Sequence, residues 1–151
     1  MADQERENTV LLVDDDRPIR EGLRRFFDGT SYRVAGEAAD GMAAVALCRK
    51  LRPDLVLLDV KMPLLNGIDA ARLIREERSA RCIVMLTSFD DQSCVEQALA
   101  AGAAGYLTKP LRAEDILPTL NELVNPYDQP LTEEDLDLPQ AEYYWNGTVI
   151  D

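Results

Sequence analysis

No histidine occurs anywhere in the 151 residues. That absence removes histidine-based zinc sites, Ser-His and Cys-His nucleophile pairs, and any phosphohistidine on this chain. Phosphate drawn from a histidine would have to come from another protein. Cysteine is also scarce. Cys48, Cys82 and Cys94 form no CxxC and leave one thiol without a partner, so all three are read as buried and reduced. Apolar runs are short, as in Val10–Val13 and Leu55–Leu58, and none approaches the roughly 18 residues that a membrane span needs. The opening Met1–Asn8 is polar and mixed in charge, unlike a secretory signal, so the expected location is the cytosol, with no membrane contact. Basic excess is missing as well. The net charge of −12 argues against a free-standing nucleic-acid binder. Residues 126–151 carry no Lys or Arg and contribute −7 of that charge, the first 125 residues −5.

Hydrophobic residues make up 46% of the chain, enough for a packed core and too many for general disorder. Short β-branched runs alternate with helical segments over the first 125 residues or so. Strands are expected at Thr9–Val13, Tyr32–Ala38, Leu55–Leu58, Cys82–Leu86 and Ala104–Leu107. Between them, Pro18 opens a helix in which Ile19, Leu23, Phe26 and Phe27 share a face. Asp40 caps a second helix, Asn66 a third, and Asp90 or Asp91 a fourth that Gly102 stops. A last helix is expected over Ala113–Val124. Five βα units with nearly continuous apolar strands imply an α/β fold: a doubly wound parallel sheet with helices on both faces. The division expected is a polar arm (1–8), one domain (9–125) and an acidic tail (126–151).

In such sheets ligands bind beyond the carboxyl ends of the strands. The first strand ends there in Asp14, Asp15 and Asp16, the third in Asp59 and the fourth in Thr87 and Ser88, while Lys109-Pro110 follows the fifth. Two carboxylates about 4 Å apart repel by roughly 4 kcal/mol at an effective dielectric of 20. Three close together would cost on the order of 10 kcal/mol, as much as a whole domain's stability. Such a site must bind a cation, take up a proton, or both. Oxygen ligands without His or Cys favour a hard ion, and Mg²⁺ is the usual choice beside phosphate. Phosphoryl transfer has the same needs, with Asp59 as nucleophile and positive charge from the metal and Lys109, helped by the Thr87 hydroxyl, around the phosphoryl oxygens.

Asp14-Asp15 after an apolar strand, Asp59 followed by Met62-Pro63 and Asn66-Gly67, Thr87-Ser88, and the run from Gly105 to Pro110 occur in this order. Together they resemble the receiver domain of bacterial two-component response regulators over about residues 9–124. The stretch from Leu86 to Lys109 is most similar to receivers that precede a LuxR-type helix-turn-helix. The resemblance implies a flavodoxin-like sheet of strand order 2-1-3-4-5 and a switch rather than a turnover enzyme. It implies Asp59 as phosphoacceptor and metal ligand, Asp15 as direct metal ligand, Asp14 as ligand through water, and the Lys61 backbone carbonyl as the remaining protein ligand. The ion is Mg²⁺, with Mn²⁺ as a substitute. Thr87 and Lys109 would bind phosphoryl oxygens, Tyr106 would follow the state of Thr87 by moving its ring, and the Lys109-Pro110 bond would be cis. The phosphoryl donor would be a histidine kinase or phosphotransfer protein. Lys61 and Phe89 would sit at the solvent mouth of the site, where a bulky Phe89 slows loss of the phosphoryl group.

Some residues invite other readings. Asp16 is better taken as a helix N-cap. Pro118 falls inside the last helix, where it removes a backbone bond; it counts against the homodimer that the family forms through the face from strand four to the last helix. In the tail, Thr132–Asp135 could start a short helix, and Asn146-Gly147 between Tyr143–Trp145 and Thr148–Ile150 is a hairpin signal; the plainer alternative is a linker remnant. The enzymatic rival is an aspartyl-phosphate phosphohydrolase of haloacid dehalogenase type. Asp14 and Asp16 fit its Asp-x-Asp spacing, but Pro18 replaces the expected Thr or Val and Asp59 would be idle. A second rival is an interaction module that keeps the fold without being phosphorylated. No helix-turn-helix pattern is present, so DNA binding by this chain is not supported.

Overall fold

The computed structural model describes residues 8–62, 64–88 and 92–128. Its elements alternate: β1 (Asn8–Val13), α1 (Arg17–Phe27), β2 (Tyr32–Ala38), α2 (Gly41–Leu51), β3 (Leu55–Asp59), α3 (Gly67–Glu77), β4 (Cys82–Ser88), α4 (Gln92–Ala101), β5 (Gly105–Lys109) and α5 (Ala113–Asp128). All strand pairs are parallel, in the order β2-β1-β3-β4-β5. This is the expected flavodoxin-like sheet. The chain reverses its direction of winding between β1 and β3, and the crevice outside their carboxyl ends is the natural ligand site.

The period-2 alternation of the strands divides the core in two. Leu11, Val13, Val56, Leu58, Ile83 and Met85 face α2, α3 and α4, and pack on small residues such as Ala44, Ala70, Ala71 and Ala98. Val10, Leu12, Leu55, Leu57, Val84 and Leu86 face the other way, toward Leu23 and Phe27 of α1 and Ile116, Leu120 and Val124 of α5. Every residue of β3 is buried, as expected for a central strand covered on both faces. Cys48 and Cys82 are buried and outside any disulfide, as expected, and burial, helped by Glu77, pushes the Cys48 thiol up to about 12. The side chain of Cys94 lies outside the described residues.

The caps of α2 and α3 follow the sequence. Asp40 accepts from the Ala43 N–H at 2.8 Å, and Asn66 accepts from the Asp69 N–H at 2.9 Å. Gly102 ends α4 at φ +121°, a conformation that favours glycine. Asp16 occupies the expected N-cap position of α1, but its side chain makes no cap bond. Pro18 has no N–H to offer, and the Ile19 N–H is taken by the Asp16 backbone carbonyl. Asp14 makes the local turn instead, accepting the Asp16 N–H on Oδ1 at 2.9 Å. Three boundaries also differ by two or more residues. β4 and β5 run on to Ser88 and Lys109, and α5 continues through the exposed Pro118 to Asp128. The proposed starts of α4 at Asp90 or Asp91, and the tail helix and hairpin, lie outside the described residues.

Two glycines test this packing in opposite directions. Gly67 donates its N–H to the Val60 carbonyl at 2.8 Å, and a Cβ there would lie 2.0 Å from the Asp59 carbonyl oxygen. Gly67→Ala is therefore expected to destabilise the domain by about 2–3 kcal/mol. Gly22, inside α1, would place its Cβ in open space, so Gly22→Ala is expected to stabilise by about 0.5–1 kcal/mol. Urea unfolding of the two variants checks both signs.

Candidate functional site

β1 and β3 lie in register, Val13 opposite Leu58. The next residue of each strand therefore brings a carboxylate to the same rim: Asp14 and Asp59. One carboxylate oxygen from each of Asp14, Asp15 and Asp59 lies within 4.8 Å of the others. Asp14 and Asp59 are only 1% and 6% exposed, whereas Asp15 faces solvent. From β5, Lys109 reaches across β4 to both buried acids, with Nζ 2.8 Å from Asp14 Oδ2 and 3.4 Å from Asp59 Oδ1. Asp14 Oδ2 is buried and, the Lys109 ion pair apart, meets no donor among the described residues, so that oxygen keeps acceptor capacity.

Three carboxylates and one ammonium leave the cluster negative. Burial, and then the neighbouring Asp14 charge, push the Asp59 carboxyl from 3.8 up to about 6, against the pull of Lys109 and of a backbone hydrogen bond from Lys61. At Lys109, burial pulls the ammonium pKa down, but Asp14 and Asp59 together outweigh it and the net direction is up. The ammonium therefore stays charged. The donor set suits a hard divalent cation on the structure's own terms: oxygen ligands only, two of them buried, with an under-used lone pair on Asp14.

The other expected site residues are spread around this cluster. Thr87 is buried near the end of β4, where its hydroxyl donates to the Ser88 carbonyl at 3.1 Å. Tyr106 is 39% exposed on β5. The Lys109-Pro110 peptide bond is cis. Lys61 follows β3 and contributes a backbone hydrogen bond to Asp59. Phe89 lies outside the described residues, as does Pro63.

Sequence reasoning missed the support beneath Asp14. Arg20 of α1 donates from Nη1 to the Asp14 backbone carbonyl at 2.7 Å. Glu37 of β2 holds Arg20 at 2.9 Å and Arg24 at 2.6 Å. Burial raises the Glu37 pKa, but the two guanidiniums outweigh it and the net direction is down. The available signal was an acid in the otherwise small and apolar run Val34–Ala38.

A family model described as "Response regulator receiver domain" matches residues 10–121. The chain belongs to this family. The receiver is 43% identical over 116 residues to the transcriptional regulatory protein PdtaR of Mycobacterium tuberculosis, a stretch that spans 77% of this chain and 56% of PdtaR. It is 35% identical over 115 residues to the chemotaxis protein CheY of Halobacterium salinarum, which covers 76% of this chain and 95% of that protein. Among solved structures, the response regulator domain of Thermotoga maritima CheB superimposes with a TM-score of 0.72 at 30% identity, covering 83% of this chain and 100% of that one. The receiver is thus a signalling switch of two-component systems. Among the described residues, no helix is long and apolar enough to cross a membrane.

The raised Asp59 pKa has a definite sign in stability. A carboxyl that is harder to ionise in the fold keeps its full stability below pH 3.8 and loses it as pH rises toward about 6. Asp59→Asn removes that loss. In EDTA, the melting temperature of the variant is expected to match wild type near pH 4 and to exceed it by roughly 3–5 °C at pH 7.5. Melts across the pH range check this, and a gap that shrinks with rising pH would contradict it.

Proposed function

We infer that the receiver accepts a phosphoryl group on Asp59 with help from Mg²⁺, which Mn²⁺ can replace. The observation that carries this reading is the buried Asp59 carboxylate, held between Asp14 and Lys109 at the carboxyl end of the central strand. Asp59 Oδ attacks phosphorus in line, forming an O–P bond as the P–N bond to a donor imidazole breaks, and the electron pair leaves with that nitrogen. Since this chain has no histidine, the donor is a histidine kinase or phosphotransfer protein.

Asp14, Asp15, Asp59 and the Lys61 carbonyl would hold the metal, which when bound supplies positive charge to the phosphoryl oxygens. Lys109 already lies beside Asp59 and supplies a second positive charge. Thr87 turns its hydroxyl from the Ser88 carbonyl to a phosphoryl oxygen, and Tyr106 moves inward as Thr87 shifts. The new charge biases a pre-existing equilibrium between two arrangements of the β4–α5 face. Phe89 shields the acyl phosphate from water. The chain works in the cytosol, where phosphodonor proteins can reach it, and the segment 9–125 is the functional unit. Its relatives include proteins nearly all of whose length is matched and others only about half matched, which fits a receiver used with different outputs.

Acetyl phosphate and Mg²⁺ are expected to add one phosphoryl group by intact mass. Asp59→Asn, or EDTA, abolishes the gain, and Lys109→Ala lowers it by at least about tenfold. Asp14→Asn would abolish uptake while Asp59→Asn spared it if the haloacid dehalogenase reading were correct. No uptake by wild type would leave the interaction-module reading. For Phe89→Ala, a phosphoryl lifetime equal to wild type would remove the shielding role.

A further inference from the structure

The end of the sheet opposite Asp59 holds a second feature that phosphoacceptance does not use. Between the last turn of α1 and the start of β2 lies an open cavity of about 380 Å³. Its lining includes the buried aromatic rings of Phe27 and Tyr32, with Arg24, Arg25 and Arg33 exposed around them and Asp28 as the one acid. Arg24 is committed to Glu37. Arg25 makes no ion pair among the described residues. On a chain of net charge −12, three guanidiniums around an aromatic floor form an unusual local concentration of positive charge. Guanidiniums over aromatic rings suit an occupant that brings carboxylates and aromatic side chains together.

The same end of the molecule receives the end of α5. Cys82, the first residue of β4, donates from Sγ to the Leu123 carbonyl at 3.8 Å, and the Tyr32 hydroxyl donates to Asn121 Oδ1 at 3.2 Å. Helix α5 therefore runs down toward the starts of the strands and passes beside the aromatic floor. Seven residues after Asn121 it reaches Asp128, about 10 Å further along its axis. Residues 129–151 follow, with six acidic residues and no Lys or Arg. They include the run Glu133-Glu134-Asp135 with Asp137, and then Glu142-Tyr143-Tyr144-Trp145. Tyr143 lies fifteen positions beyond Asp128, so the chain between them can extend to about 50 Å, far more than the return requires.

We propose that the acidic segment 129–151 folds back onto the Arg24–Arg25–Arg33 cavity of its own chain, its carboxylates on the arginines and its aromatic triplet against the Phe27–Tyr32 floor. The N-terminal arm 1–7 also starts from this end of the sheet, but with Asp3, Glu5 and Glu7 against Arg6 it offers far less negative charge and no aromatic residue. Docking here leaves the Asp59 rim open, so the segment and a phosphodonor can be bound together.

Trp145 is the only tryptophan, which makes its emission a direct reporter in the full chain. The expected result is a blue-shifted emission, protected from acrylamide, compared with a synthetic peptide of residues 129–151. The shift and protection should be lost in Arg25→Glu/Arg33→Glu, lost in the full chain carrying Glu133→Gln, Glu134→Gln, Asp135→Asn and Asp137→Asn, and weakened in 1 M salt, where charges are screened over about 3 Å. The second variant leaves the cavity untouched, so a folding defect in the first cannot decide the matter. Emission that matches the peptide's in wild type overturns the proposal, as does protection that survives both variants. Protection that grows with protein concentration overturns it in favour of docking between copies. An Asp3→Asn/Glu5→Gln/Glu7→Gln variant should leave Trp145 unchanged. If amide NMR shifts of Gly29, Thr30 and Arg33 respond to that variant and not to the tail variant, the arm is the occupant and the proposal fails.

Discussion

The ammonium of Lys109 stands between two buried carboxylates, and the functional end of the molecule is arranged around that contact. Without it, Asp14 and Asp59 would share a nearly water-free rim with no compensating charge, an arrangement costing several kcal/mol even at generous dielectric. With it, the pair is tolerable but still over-negative, which is why Asp59 holds its proton more tightly than an ordinary carboxyl does. The fold supplies the rest. Strand order puts β1, β3 and β4 side by side, and β5 is close enough for a lysine-length side chain to bridge to β3. A parallel sheet aims all these strand ends the same way.

Support for this contact extends beyond the residues that make it. Asp14 turns the chain into α1 through Oδ1, meets Lys109 through Oδ2, and is held at its backbone carbonyl by Arg20. Arg20 is in turn fixed by Glu37 from the edge strand β2. A single aspartate thus has nearly every polar atom assigned, and its partners come from three other elements and from the turn beside it.

Most of the fold was legible from hydrophobic periodicity and caps, because the central strands are buried on both faces and read as unbroken apolar runs. The strand ends were less legible for a physical reason. β4 and β5 were expected to stop where their apolar residues stop, but the ladder continues through Thr87 opposite Thr108 and Ser88 opposite Lys109. Polar side chains there serve the site, so the apolar signal ends before the backbone pairing does. Asp16 holds the expected N-cap position without a side-chain bond, because that bond depended on its neighbours' N–H groups, one absent at Pro18 and one already engaged at Ile19. The carboxylates and Lys109 were legible because strand ends of a parallel sheet converge by topology. The Arg20–Glu37–Arg24 chain and the Arg25–Arg33 cavity were not, since each joins α1 to β2 through side-chain reach that no sequence period encodes.

The close approach of Gly67 to the Asp59 carbonyl bears on how a signal could leave this site. β3 is enclosed on both faces, and the start of α3 is pressed against its last peptide with no room for a single methyl group. The central strand therefore behaves as an anvil. β5 is the outer strand, with Tyr106 exposed and its last two residues only partly covered. Strain imposed at the rim would be relieved where the packing is loosest, so deformation should travel outward along Thr87 and Lys109 while Asp59 holds still.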